Sequence, residues 1–353
     1  MTTQLPAAVS WQDDTLCLLD QRLLPHKVVI EPQRSVEDVF RAIRELRVRG
    51  APAIGIAAAY GLAVALQSAK SASRDESMAV LDGAAQTLKS ARPTAVNLAW
   101  AIDRVLARAR TEASEDIYGV VVDEARAIHE EDRAICRGIA DQGVELIRSG
   151  CGIVTHCNAG ALAVSELGTA TAPMYEAHRR GIPFRVYADE TRPLLQGARL
   201  TAWELAHADI DVTLICDATA AHLMAQGLID LVLVGTDRVT ANGDVVNKIG
   251  TLPLAIVARH FSVPFYVACP SSTYDPNTPS GNAVTLEQRA PDEVRKIMGH
   301  AIAPMDVKVL NPAFDVTPND LVTGIITERG IATAPLAESL ARLLSSHSAA
   351  TTQ

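Results

Sequence analysis

Five short apolar runs, at residues 152–155, 184–188, 212–215, 231–234 and 265–268, constrain this chain more than any other feature. Each is rich in β-forming residues, and amphipathic stretches separate them. Strands that read as continuous apolar runs are buried on both faces, and when helices separate them they belong to a parallel sheet covered on both sides. The spacing predicts an α/β fold with a doubly wound parallel sheet over residues 146–344.

Upstream of residue 146 the pattern is different. Residues 9–32 carry apolar runs broken by Asp13-Asp14 and Asp20-Gln21, which read as small strands joined by turns. Ser35 then stands as a helix N-cap, with Glu37 and Asp38 in the first turn and Val39, Ile43 and Leu46 at helical spacing. Further helical runs are expected over 53–70, 78–89, 94–108 and 117–147, the last broken along its length. Residues 1–145 are therefore expected to form a mainly helical N-terminal domain with small strands, and the small polar residues 345–353 a frayed tail. Two packed domains suit 353 residues, of which 48% are hydrophobic and 21% charged.

The formal charge of −9 argues against general attraction to nucleic acid or an anionic membrane, since both need a basic surface. Any bound phosphate requires a local site. The longest near-apolar run, 53–66, is shorter than a membrane span of roughly 20 residues, and no leader pattern opens the chain, so a cytoplasmic location is expected. The cysteines at 17, 136, 151, 157, 216 and 269 form no CxxC pair and have no histidines at zinc-ligand spacing, which predicts free thiols.

Ligands of an open parallel sheet sit outside the carboxyl ends of its strands. His156-Cys157-Asn158-Ala159-Gly160 follows the first run, Asp189-Glu190-Thr191-Arg192 the second, Asp217 the third, Gly235-Thr236-Asp237-Arg238 the fourth and Cys269-Pro270-Ser271-Ser272 the fifth. A cysteine is most often a small buried hydrophobe. Cys157 differs by position: it ends a strand, with small residues behind it where a helix could begin, a setting that favours the thiolate over a free thiol of pKa about 8.5. His156 adjoins it, yet successive strand residues point to opposite faces, so His156 reads as structural. Asp237 follows the most apolar strand, where partial desolvation would raise its pKa and suit acid–base work. A turn or capping role competes with catalysis for Asp237, and equally for Asp189 and Asp217. No histidine is expected to converge with these acids, so no metal site is predicted.

Phosphate needs backbone donors and fixed cations. Arg49-Gly50-Ala51-Pro52 supplies a guanidinium fork, a glycine that permits close approach and a proline suited to a first helical turn. An ordinary helix–helix turn has the same ingredients. Gln196 and Asn247-Lys248 add neutral and cationic donors, or are solvated loop residues. Neither GxGxxG nor GxxxxGK[ST] occurs, which weighs against a bound dinucleotide or P-loop nucleotide.

The segments VRGAPAIGIAAAYG (48–61), ARPTAVNLAWAI (91–102), THCNAGALA (155–163), YADETRPLLQGARLTAWEL (187–205), VGTDRVTANGDVVNKIGT (234–251) and NPAFDVTP (311–318) closely resemble the methylthioribose-1-phosphate isomerase family. That family shares a superfamily with the regulatory subunits of translation initiation factor two-B. The likeness extends from Trp11 to about residue 330 and leaves only the C-terminal tail unmatched. It implies a catalytic pair at Cys157 and Asp237, and substrate-binding groups at Arg49, Gly50, Ala51, Arg92, Gln196, Asn247 and Lys248. It also implies a Rossmann-like second domain without a nucleotide, no cofactor, a homodimer, a sugar phosphate substrate and a place in methionine salvage.

The chemistry so implied is demanding. A phosphate on the anomeric oxygen blocks spontaneous ring opening, so an acid must protonate the ring oxygen while hydrogen moves from C2 to C1, as a proton or as hydride. Asp237 is assigned to the ring oxygen and Cys157 to the C2 proton. Two other readings compete: an isomerase of another ribose 1-phosphate, such as ribose 1,5-bisphosphate or 5-deoxyribose 1-phosphate, and a regulatory subunit without activity. A second phosphate would need added cations, which an acidic chain does not advertise, and a binding module has no need of an acid–base pair.

Overall fold

A computed structural model describes residues 5–93 and 95–345. Thr94, where one helix was expected to start, and residues 346–353 of the expected tail lie outside the described residues. The chain divides into two units: residues 5–136 with 161–168, and residues 137–160 with those from 169 onward.

The first unit opens with an antiparallel meander of β1 (Val9–Gln12), β2 (Thr15–Leu19) and β3 (Ile30–Gln33). Asp13 and Asp14 take the left-handed backbone of its first turn, which short polar side chains tolerate. α1 (Val36–Arg44) begins where the Ser35 hydroxyl accepts the Asp38 N–H at 3.1 Å. α2 (Ala51–Leu66), α3 (Arg74–Ala91) and α4 (Val96–Thr111) follow, and α3 starts with a capping box between Ser73 and Glu76. α2 is apolar on every face because it is buried on nearly every face. With a 3₁₀ turn that carries it to Ala69 it is long and apolar enough by composition to cross a membrane, but most of it lies in the core of this unit.

α5 (Ile117–Gly143) runs unbroken and ends in a 3₁₀ turn over Val144–Leu146, which corrects the expected interruption. Its buried stripe passes through Val121, Ala125, Ile128, Asp132, Cys136 and Ile139, so the polar residues that disturb the apolar period sit inside a regular helix.

The second unit is built on β4 (Cys151–Thr155), β5 (Phe184–Asp189), β6 (Val212–Ile215), β7 (Leu231–Val234) and β10 (Phe265–Ala268), the five runs read from the sequence. Helices α6 (Ala172–Arg179), α7 (Ala202–His207), α8 (Thr219–Ala225) and α9 (Thr251–His260) lie between them in sequence. Two further strands, β15 (Gly324–Thr327) and the antiparallel β16 (Gly330–Thr333), complete a seven-stranded sheet of order β16-β15-β10-β7-β4-β5-β6, and α11 (Leu336–Ser345) follows. The chain winds outward from β4 through β6, returns to β7 beside β4, then winds outward the other way. The switch point therefore lies between β4 and β7.

A smaller sheet of order β11-β8-β9-β14 joins β8 (Arg238–Thr240), β9 (Val245–Lys248), β11 (Tyr274–Asp275) and β14 (Phe314–Thr317). A short helix α10 (Asp292–Arg295) leads to a two-stranded hairpin of β12 (Lys296–Ile297) and β13 (His300–Ala301).

Candidate active site

Cys157 stands two residues beyond β4 and Asp237 three beyond β7, so the pair follows the two strands that flank the switch point. Cys157 has φ +64°, a region that costs a side-chain-bearing residue on the order of 1–3 kcal/mol. Two threonine hydroxyls hold it there. Thr191 Oγ1 accepts the Cys157 N–H at 2.8 Å, and Thr201 Oγ1 donates to the Cys157 carbonyl at 2.6 Å. Thr191 is itself at φ +64° and donates to the Asp189 carbonyl at 3.0 Å, while Thr201 accepts from Asn158 Nδ2 at 3.1 Å.

No helix starts behind Cys157, which corrects the expectation of a helix N-terminus there. The chain makes a 3₁₀ turn over Ala161–Ala163 that belongs to the first unit, and α6 begins only at Ala172. What singles the thiol out is its strained, doubly anchored backbone. Among the other cysteines, burial pushes the thiols of Cys136, Cys151 and Cys269 up, and the Glu190 carboxylate does the same to Cys216.

Asp237 is exposed, where partial desolvation was expected, because the turn from β7 into β8 carries it outside the sheet. Its N–H is tied to the Val246 carbonyl at 3.0 Å, which fixes it against β9. On that strand Asn247 is buried and donates to Thr251 Oγ1 at 3.0 Å, and Lys248 Nζ donates to the Ala313 carbonyl at 3.0 Å above the Phe314 ring. Gln196 is buried with no partner for its Oε1 among the described residues, an arrangement that calls for a donor from elsewhere.

In the first unit Gly50, at φ +94°, is the N-cap of α2, and no acid occupies that helix's first turn. A Cβ at Gly50 would strike the Ala163 backbone, so only glycine fits. Gly55 of α2 packs on the Asn97 carbonyl of α4, which sets the start of α4 beside the start of α2; Arg92, the C-cap of α3, lies five residues upstream of Asn97.

A profile of the initiation factor 2 subunit family matches residues 47–334. The chain belongs to this family. It is 51% identical over 338 residues to a methylthioribose-1-phosphate isomerase of Chloroflexus aurantiacus, covering 95% of this chain and 97% of the relative. It is 48% identical to a 5-deoxyribose 1-phosphate isomerase of Bacillus thuringiensis, with 95% and 97% covered. The crystal structure of 5-methylthioribose 1-phosphate isomerase from Pyrococcus horikoshii superposes with a TM-score of 0.93 at 42% identity, over 98% of each chain.

In this family member one expectation about metals needs correction. His156, Asp189 and Asp217 do converge, with one ligand atom from each within 4.8 Å of the others, because β4, β5 and β6 are neighbours and end on one rim. Hydrogen bonds occupy part of the cluster: Asp217 accepts the Thr191 and Arg192 N–H groups at 2.6 and 2.8 Å and both His156 nitrogens are engaged, while Asp189 Oδ1 is buried with no partner among the described residues. Thr201 and Asp315 were not singled out from the sequence. Thr201 lies in a π-helical turn, Gly197–Thr201, that no periodicity announces, and Asp315 lies in a strand, FDVT, whose mixed polar and apolar residues do not stand out.

Proposed function

We propose that this chain is an aldose–ketose isomerase that converts 5-methylthioribose 1-phosphate to 5-methylthioribulose 1-phosphate in methionine salvage, with Cys157 and Asp237 as its acid–base pair. The observation that carries this reading is the placement of a strained, doubly anchored cysteine and an aspartate on the two strands that flank the switch point, in a chain half identical to a named isomerase. In the first step the Cys157 thiolate takes the proton from C2, the bond from C1 to the ring oxygen breaks, and Asp237 gives its proton to that oxygen. The product of this step is an enol phosphate. Cys157 then returns its proton to C1 while Asp237 recovers one from the C2 hydroxyl, leaving the ketone with both groups restored.

Arg49, Gly50, Ala51, Arg92, Gln196, Asn247 and Lys248 are proposed as substrate-binding groups. A sugar hydroxyl would supply the donor that Gln196 Oε1 lacks. No metal or cofactor enters this scheme, the assembly is a homodimer and the location is cytoplasmic.

The 48% identical relative named for 5-deoxyribose 1-phosphate favours a second reading with the same chemistry and a smaller C5 group. A coupled assay over sugar 1-phosphates decides between them: the thiomethyl substrate is expected to have the highest kcat/KM, and a preference for the 5-deoxy sugar would move the assignment to that reading.

A further inference from the structure

Beside Cys157 lies a buried side-chain network that the proton transfers above do not use. His156 is 1% exposed. Its Nε2 is 2.9 Å from the Ile249 carbonyl, an acceptor only, so Nε2 carries a proton and donates it. Its Nδ1 is 2.9 Å from Asp189 Oδ2, and since neither bare atom can donate, one proton lies between them. Burial pushes Asp189 up to about 6; burial by itself lowers His156, but its contacts with Asp189, the Ile249 carbonyl and Asp217 together raise it, so both partners are disposed to hold that proton.

The ring also packs against backbone. Gly250, at φ +106°, is so close that a Cβ there would come within 2.7 Å of His156 Cε1. Asp315 Oδ2 holds the same turn by accepting the N–H groups of Gly250 and Leu252 at 2.8 and 3.1 Å. The imidazole thus bridges two parts of the unit. One is the end of β4 and β5, which carries Cys157. The other is the turn after β9, whose strand carries Asn247 and Lys248 and ties Asp237 through Val246.

We infer that His156, braced by Asp189, is a positioning residue that holds the Cys157 loop in register with the β9 turn, so that the thiol and the groups on β8 and β9 keep one geometry through the reaction. The inference rests on the isomerase reading for its kinetic consequence, though its structural consequence can be measured without any substrate. An asparagine at 189 keeps the bond, because its amide can donate to a neutral Nδ1 or accept from a protonated one. An alanine loses it.

The test is site-resolved alkylation by iodoacetamide, read by mass spectrometry, together with thermal melts and steady-state kinetics. In His156→Gln and Asp189→Ala the loosened loop exposes the half-buried thiol, and Cys157 is expected to react at least about fivefold faster than in wild type, while Cys17 in the first unit is unchanged. Asp189→Asn should rescue, with a Cys157 rate within about twofold of wild type. With 5-methylthioribose 1-phosphate, kcat per folded molecule should fall about ten- to a hundredfold in the first two variants with KM little changed, the pattern of lost alignment. An unchanged Cys157 rate in Asp189→Ala, or an Asp189→Asn variant as reactive as Asp189→Ala, would overturn the inference. Should His156→Gln not fold, the Asp189 pair carries the comparison alone. A wild type inactive on every sugar phosphate would remove the isomerase reading and leave the alkylation result standing on its own.

Discussion

Cys157 occupies a left-handed backbone conformation that no cysteine prefers, and the two threonine hydroxyls that pin its N–H and carbonyl hold it there. The strand-end rule marks Cys157 as a candidate and Thr191 stands after the next strand, 34 positions on, but Thr201 is 44 positions away and only the folded chain brings it in. Cys269 also follows a strand, yet it is fully buried and its thiol is pushed up, so its role is packing. Cys269→Ser is expected to lower stability by about 1–3 kcal/mol, because a hydroxyl there must find a partner, and to leave turnover per folded molecule unchanged. Denaturant melts and active-fraction kinetics check this. For Arg49 the expected change is in binding. Arg49→Lys keeps the charge and loses the planar fork, so calorimetry should show weaker binding of both the substrate and a non-reacting ketose 1-phosphate by a similar factor. Unaltered affinity for both would leave Arg92 or Lys248 as the main phosphate anchor.

At the scale of elements, composition decided which strands were legible, since β6, β7 and β10 have four residues each, as do β9 and β14. β4, β5, β6, β7 and β10 read directly as apolar runs, whereas β8 (RVT), β9 (VVNK) and β14 (FDVT) mix polar with apolar residues over three or four positions and resemble loop. The convergence of His156 with Asp189 follows from strand adjacency, but its bond to Ile249 spans 93 positions and has no local signal. α5 was legible as a helix but expected to be broken, whereas it is continuous, with two polar residues, His129 and Asp132, buried along it. His129 brings a consequence for pH. Burial lowers its pKa from 6.5 to about 4, so the folded state favours the neutral ring. The stability this contributes is complete above pH 6.5 and is lost as pH falls toward 4, by up to about 3 kcal/mol. His129→Gln should therefore show a smaller fall in melting temperature between pH 6.5 and 4 than wild type, and equal falls would mean that the ring titrates normally.

Across the whole molecule, an acidic chain places Cys157 and Asp237 after the two strands that flank the switch point of one sheet, and the family match runs through both units. The proton transfers assigned to Cys157 and Asp237 need no metal, so prolonged dialysis against a chelator is expected to leave the rate unchanged. Activity lost and then restored by one divalent ion would instead direct attention to His156, Asp189 and Asp217. The most direct measurement is the turnover of 5-methylthioribose 1-phosphate by wild type, Cys157→Ser and Asp237→Asn, each with its substrate affinity measured by calorimetry. The account predicts conversion by wild type, and for each variant normal folding, retained binding and a kcat at least about a hundredfold lower. Near-normal turnover by either variant would show that its side chain is not part of the proton transfer and would contradict the account.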